Sequence, residues 1–192
     1  AMAYRGLGET AKATAHLAQQ GPVGVRASDP LVDSLQDLIK GERVYLVRGK
    51  LALEAKRYAE AVDEFRKAIA ANRDSIPAHV NLGAALVQSG DPKGAAEQYA
   101  EALRIDPKNT NAHYNLAILL ANENQHGPAI VHLQSVLSID PNDPSARLFL
   151  ARELLRSKRT EEALVEFSRV VEADPNNEDA LLEQVRLLQQ KK

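Results

Sequence analysis

The chain of 192 residues has no cysteine and no tryptophan, one methionine, and only 4% aromatic residues. Without cysteine there can be neither a disulfide framework nor a thiolate zinc site. This fits the cytoplasm first, and an export compartment too, because a helical protein needs no disulfides. A formal charge of -2 gives no electrostatic reason to expect nucleic acid, and no cluster of Lys and Arg interleaves with aromatics as single-strand binders require. Long hydrophobic runs are also missing. The longest, such as NLAILLAN, fall far short of the roughly 20 residues that span a bilayer, so no membrane span is expected. Residues 1–20 lack a basic start followed by an apolar stretch, so no signal peptide is read there. The opening AMAYRGLGET looks like a helix entered partway, as in a fragment of a longer protein, and a fragment would leave targeting signals out.

Catalytic signatures are equally scarce. There is no glycine-rich phosphate loop, no GxSxG, no HExxH and no cysteine nucleophile, so no enzyme activity and no cofactor are expected. Of the histidines, His79 and His113 fall at equivalent places in the pattern described below and read as partly buried packing groups. His126 and His132 are not at the i, i+4 spacing that puts two metal ligands on one helical face, and His16 has no evident partner. No metal site is expected. The pairs Asp63-Glu64 and Glu161-Glu162 read as solvated faces and helix-start charges.

What the chain does have is 44% apolar and 26% charged residues, with Ala and Leu dominant, a composition that favours soluble helices. It also repeats itself. Aligning IDP at 105–107 with IDP at 139–141 and ADP at 173–175 gives a period of 34 residues and four units, 42–75, 76–109, 110–143 and 144–177. Position 8 of the unit is Gly49, Gly83, Ala117 and Ala151; position 20 is Ala61, Ala95, Ala129 and Ala163. Position 24 is Phe65, Tyr99, Leu133 and Phe167; position 27 is Ala68, Ala102, Val136 and Val170. Small residues at two places let the helices of a hairpin approach, and the larger one at position 24 fills the space left. Pro at position 32 cannot donate the hydrogen bond of a continuing helix and ends the second helix. The first unit has Arg73 there; its stop is expected from NRDSIP, where Pro77 disfavours helix at Ile76. Within the second unit Val80, Leu82, Leu86 and Val87 recur at helical spacing, and Gly90-Asp91-Pro92 makes the turn.

A helix-turn-helix unit with this length and these residues resembles the tetratricopeptide repeat. The resemblance implies an all-α fold, a right-handed α-solenoid of stacked hairpins in which each hairpin buries its two sides on its neighbours. Residues 178–192 repeat the first half of a unit and are expected to cap the stack, with Leu181, Val185 and Leu188 facing back and Glu183, Gln189 and Gln190 meeting water. Residues 1–20, with Gly8, Ala13 and Leu17, are similar to the back part of an earlier unit. Residues 21–41 form a linker plus an amphipathic helix capped by Ser28 or Asp29, with Pro30 at its start, Leu31, Leu35, Leu38 and Ile39 on its apolar face, and Gly41 interrupting it.

In the family the first helices line a concave groove. Carried over position by position, the resemblance implies a groove made by Leu46, Lys50, Glu54, Val80, Asn81, Ala84, Tyr114, Asn115, Ile118, Asn122, Phe149, Arg152, Arg156 and Arg186. Its middle is apolar with Asn residues, and its C-terminal end is basic. Asn81 and Asn115 match the position where family members use stacked amides to hold an extended peptide backbone, which an amide suits because it donates and accepts at once. Asn inside a helix is unfavourable relative to Ala, so something offsets it: a peptide, or a local bond to a neighbouring helix. Val47 and Phe149 break the ladder. The clamp for a C-terminal carboxylate found in some members is missing, since positions 5 and 9 read Leu46 and Lys50, Val80 and Ala84, Tyr114 and Ile118, Leu148 and Arg152. The expected function is a protein-protein interaction scaffold for a peptide or protein segment. The alternatives are self-association into a homo-oligomer through residues 1–40 or a repeat end, and an accessory module of a multidomain enzyme.

Overall fold

The computed structural model describes residues 41–190. The helix pair expected in 1–20, all but Gly41 of the linker and amphipathic helix expected in 21–41, and His16 lie outside the described residues. Among the described residues all regular structure is helical, in the order α1 (Glu42–Glu54), α2 (Tyr58–Ala71), α3 (Ile76–Gln88), α4 (Pro92–Ile105), α5 (Thr110–Asn122), α6 (His126–Ile139), α7 (Pro144–Arg156), α8 (Thr160–Ala173) and α9 (Glu178–Gln190). Consecutive helices pack as the hairpins α1·α2, α3·α4, α5·α6 and α7·α8; each hairpin leans on the next, and α9 lies on α8. The result is an all-α helical repeat solenoid. None of the described helices is long and apolar enough to cross a membrane.

Close approach within a hairpin has a measurable cause. A methyl group added at Gly49 would stand 2.5 Å from the Phe65 ring, and one at Gly83 would stand 2.5 Å from the Tyr99 ring. The aromatic therefore occupies the volume that glycine leaves, and both rings are buried. The apolar interior runs along the stack as two clusters. One is built on Phe65, Leu82, Leu86 and Tyr99, the other on Ile130, Leu133, Leu154 and Phe167. They meet in α5, which gives Leu116 and Leu119 to the first and Ala117 and Ala121 to the second.

The loops between hairpins share one construction, and it corrects the expected stop of the first unit. Asn72, Asp106, Asp140 and Asp174 follow the second helices in extended conformation. Each side chain accepts from the backbone N–H two residues on, an Asx turn. Each carbonyl then accepts from the N–H of Ser75, Asn109, Asp143 or Asn177. Those four side chains in turn accept from Ala78, Ala112, Ala146 and Ala180, which starts the next helix. Ile76 was expected to be non-helical, yet it is the first residue of α3. The Ser75 cap fixes the helix start, and Pro77 falls in the first turn, where no donor is needed. Proline at position 32 is thus not required for the stop, because Asn72 makes the turn beside Arg73.

Inside each hairpin the bend passes through one left-handed residue: Lys56 (φ 58°), Gly90 (φ 86°), Asn124 (φ 60°) and Lys158 (φ 63°). A polar staple also recurs. His79 meets the Gln98 amide at 2.9 Å and donates to the Arg73 carbonyl at 3.0 Å. His113 faces His132, Nδ1 to Nδ1, at 2.9 Å and donates to the Pro107 carbonyl at 3.0 Å. Arg147 binds Glu166 at 2.8 Å and also donates to the Pro141 carbonyl. The same position of three first helices therefore ties the second helix of its own hairpin to the loop before it.

At the C-terminal end the expected facing of α9 is corrected. Ala180 and Leu187 are buried, while Val185 is 50% exposed, Leu188 48% and Leu182 69%. The helix has α8 on one side only. It turns its small residue and one leucine inward and leaves the other apolar residues outside.

Candidate functional site

The first helices α3, α5, α7 and α9 succeed one another along one face, and three depressions run along it. The first, about 160 Å³, is lined by Ala84, Val87, Gln88, Tyr99, Asn115, Ile118, Leu119 and Asn122. The second, about 350 Å³, is lined by Tyr114, Ile118, Ser145, Leu148, Phe149 and Arg152. The third, about 290 Å³, is lined by Arg152, Leu155, Arg156, Asp179, Leu182 and Glu183. Ile118 belongs to the first two and Arg152 to the last two, so they adjoin. Each lies below or only slightly above the lower end of volumes that enclose a small-molecule ligand, which run from roughly 300 Å³ upward. A row of shallow holes suits successive side chains of a longer ligand better.

The apolar part is well defined. Tyr114 and Phe149 meet edge to face with ring centres 5.9 Å apart, a favourable arrangement of aromatic quadrupoles. Burial, then the Asp143 carboxylate, push the Tyr114 hydroxyl up, with Arg152 opposing them. Tyr99, whose ring floors the first depression, is pushed up to about 12 by burial, so its hydroxyl remains a neutral donor. Asn81 and Asn115 are partly buried within α3 and α5. Neither side-chain amide is hydrogen-bonded to another group among the described residues, so no bond to a neighbouring described helix accounts for them.

The C-terminal end is less basic than its residues suggest. Arg152 pairs with Asp179 at 2.7 Å, Arg156 with Glu153 at 2.6 Å, and Arg186 lies 3.8 Å from Glu183. Glu153 was not legible as a site residue. It is fully buried and also accepts from His126 Nδ1 at 2.7 Å. The signal that could have found it is its place in the unit, where the other first helices have Leu51, Ala85, Leu119 and Leu187.

Of the expected groove residues, the depressions gather Ala84, Tyr114, Asn115, Ile118, Asn122, Phe149, Arg152 and Arg156. Lys50, Val80, Asn81 and Arg186 do not line these three. Lys50 is exposed on α1, Val80 and Asn81 are partly buried on α3, and Arg186 is exposed on α9. The four described histidines are used in the staples and in the Glu153 pair. No group of three or more His, Cys, Asp or Glu able to hold a metal occurs among the described residues.

These hairpins, stacked at a fixed period with small residues against large ones, define a helical repeat solenoid. A family profile described as tetratricopeptide repeat matches residues 52–98 and 123–190, and a second, described as TPR repeat, matches 85–124. The chain belongs to the tetratricopeptide repeat family, whose repeats build protein-interaction scaffolds. No curated protein matches the sequence. Among solved structures, YrrB, a TPR protein with an unusual peptide-binding site, is 23% identical with a TM-score of 0.71, covering 85% of this chain and 84% of its own. PilF of Pseudomonas aeruginosa is 23% identical with a TM-score of 0.69, covering 78% and 68%. MamA from Desulfovibrio magneticus RS-1 is 19% identical with a TM-score of 0.71, covering 78% and 85%. At these identities the likeness is one of fold.

Proposed function

We propose that the protein is a non-enzymatic scaffold that holds an extended peptide or protein segment along the face of its first helices. The observation that carries the reading is the pair of amides at Asn81 and Asn115, set one repeat apart within helices that disfavour them and without a hydrogen-bond partner among the described residues. An amide so placed can donate to one backbone carbonyl and accept from one N–H of a bound segment, whatever its side chains are. The adjoining holes beside Ile118 and Phe149 would take the side chains. The peptide-binding site of YrrB, on a similar fold, supports the same use.

Replacing both Asn81 and Asn115 by Ala is expected to weaken partner capture from source-cell extract, read by mass spectrometry, while helicity and melting stay unchanged. Equal capture by the variant would remove the groove from the account. A second reading, self-association, is favoured by the exposed strip of Leu182, Val185 and Leu188 at the end of the stack. Light scattering tests it, and a strict monomer at roughly tens of micromolar would argue against it.

A further inference from the structure

We infer that Glu153 is a positioning residue: buried beneath the groove, it holds Arg156 as an anchor for a carboxylate carried by the bound segment. The inference rests on the peptide-binding reading given above. Its starting point is an anomaly of place. The position is fully or partly covered in α3, α5 and α9 by Ala85, Leu119 and Leu187, whereas α7 has a carboxylate with no exposed surface. Burying a carboxylate is costly unless it is paired, and a well-packed leucine is often at least as stable as a buried ion pair. Stability alone therefore gives no reason for Glu153.

Its bonds do give one. Oε2 accepts from His126 on α6, at 2.7 Å, and Oε1 accepts from Arg156 Nη1, at 2.6 Å. One side of the carboxylate is fixed by the preceding repeat and the other grips a groove side chain. Arg156 remains 56% exposed and lines the third depression. A guanidinium has five N–H donors in a rigid fork, and only one nitrogen of Arg156 is bonded, so its free edge can take a carboxylate in bidentate fashion. Holding the side chain in place beforehand removes most of the entropy that an exposed arginine loses on binding.

The wall carboxylates do not turn this depression into a cation site. Asp179 is paired with Arg152 in an exposed bridge, the kind that exchanges partners at little cost. Glu183 Oε2 has no partner but is shut off from solvent, so an incoming cation has no open approach to it. Leu155 and Leu182 complete the lining. The matching ligand feature is an Asp or Glu side chain, or a chain-terminal carboxylate, beside an aliphatic residue.

The test starts from peptides selected from a phage-displayed random library on the wild-type protein. The tightest is synthesised with a fluorescent label in three forms: as selected, with Asp and Glu changed to Asn and Gln, and with its C-terminus amidated. Arg156→Ala is expected to weaken binding of the parent peptide about tenfold. Glu153→Leu should do nearly the same without lowering the melting temperature, and the double variant should be no weaker than either single one. Glu153→Gln, nearly isosteric, covers the case in which the leucine fails to fold. Loss of affinity on neutralising the side chains, or on amidation, identifies which carboxylate is bound.

Binding lost in the Asn81→Ala, Asn115→Ala variant but unchanged by both Glu153 substitutions would overturn the positioning role and leave the groove reading intact. Enrichment of Lys or Arg in place of carboxylates would overturn the anion assignment in the same way. If no peptide is selected, or all bind the double-Asn variant equally well, the groove reading itself falls, and this inference with it.

Discussion

At the scale of single residues, complementary volumes decide how closely the helices of a hairpin can sit. The Gly49 and Phe65 pair illustrates it, since a Cβ at residue 49 would stand 2.5 Å from the ring. Gly49→Ala is expected to destabilise the protein by about 1–2 kcal/mol in urea melts, overpacking outweighing the helix propensity gained. Adding Phe65→Leu should restore part of that loss, because the third repeat combines Ala117 with Leu133 at the same two places. A second residue-scale effect is electrostatic. The pKa of His132 is lowered from the ordinary imidazole value of 6.5, first by burial and then by the charge of His113. The folded chain therefore binds fewer protons at this site than the unfolded chain does just below that value. Its contribution to stability is complete above about pH 6.5 and is lost as pH falls through the lowered pKa. His132→Gln, which copies Gln98 opposite His79, should flatten the acid limb of a plot of melting temperature against pH; an unchanged limb would place the proton uptake elsewhere.

At the scale of elements, a hairpin depends on its bends as much as on its helices. Lys56, Asn124 and Lys158 stand in the left-handed region that Gly90 enters without strain. Lys158→Gly is expected to raise stability by about 0.5 kcal/mol, relief of strain exceeding the extra chain entropy. A lower melting temperature would show that the Lys158 side chain contributes more than its backbone costs. Elements also show what could and could not be read beforehand. The helix pairs followed from Gly49, Ala61 and Phe65 and their counterparts, since steric fit within a hairpin is local and repeats. The stop after α2 was misread because Pro77 is conspicuous, whereas the Asx turn of Asn72 depends on a bond from the backbone of Asp74. The facing of α9 was misread because the side it buries is chosen by where α8 packs against it, and not by which residues are largest. Arg152, Arg156 and Arg186 could be singled out by their places in the repeat, but their ion-pair partners could not: two of these, Glu153 and Glu183, sit on the same helices as the arginines they face, where a sequence shows only alternating charge.

At the scale of the whole molecule, the described helices form a solenoid with a shared interior. The two apolar clusters join through α5, so the middle of the stack has neighbours on both sides, while α9 has one. The exposed Leu182, Val185 and Leu188 belong to that one-sided helix. If they mediate self-association, Leu188→Glu should convert any oligomer to monomer in light scattering with only a modest change in melting, since about half of the Leu188 surface is already open to solvent. The polar staples bear on a different matter, the recombination of repeats. Each joins a first helix to its own second helix, through His–Gln, His–His and Arg–Glu in turn, and reaches the loop before it only at a backbone carbonyl. A crossover placed in that loop leaves the staple whole. One placed inside a hairpin would set Arg147 against His132, or His113 against Glu166. The bond from His126 to Glu153 spans two repeats, so the third and fourth units would have to be inherited together, and the smallest exchangeable cassette at that end is a pair.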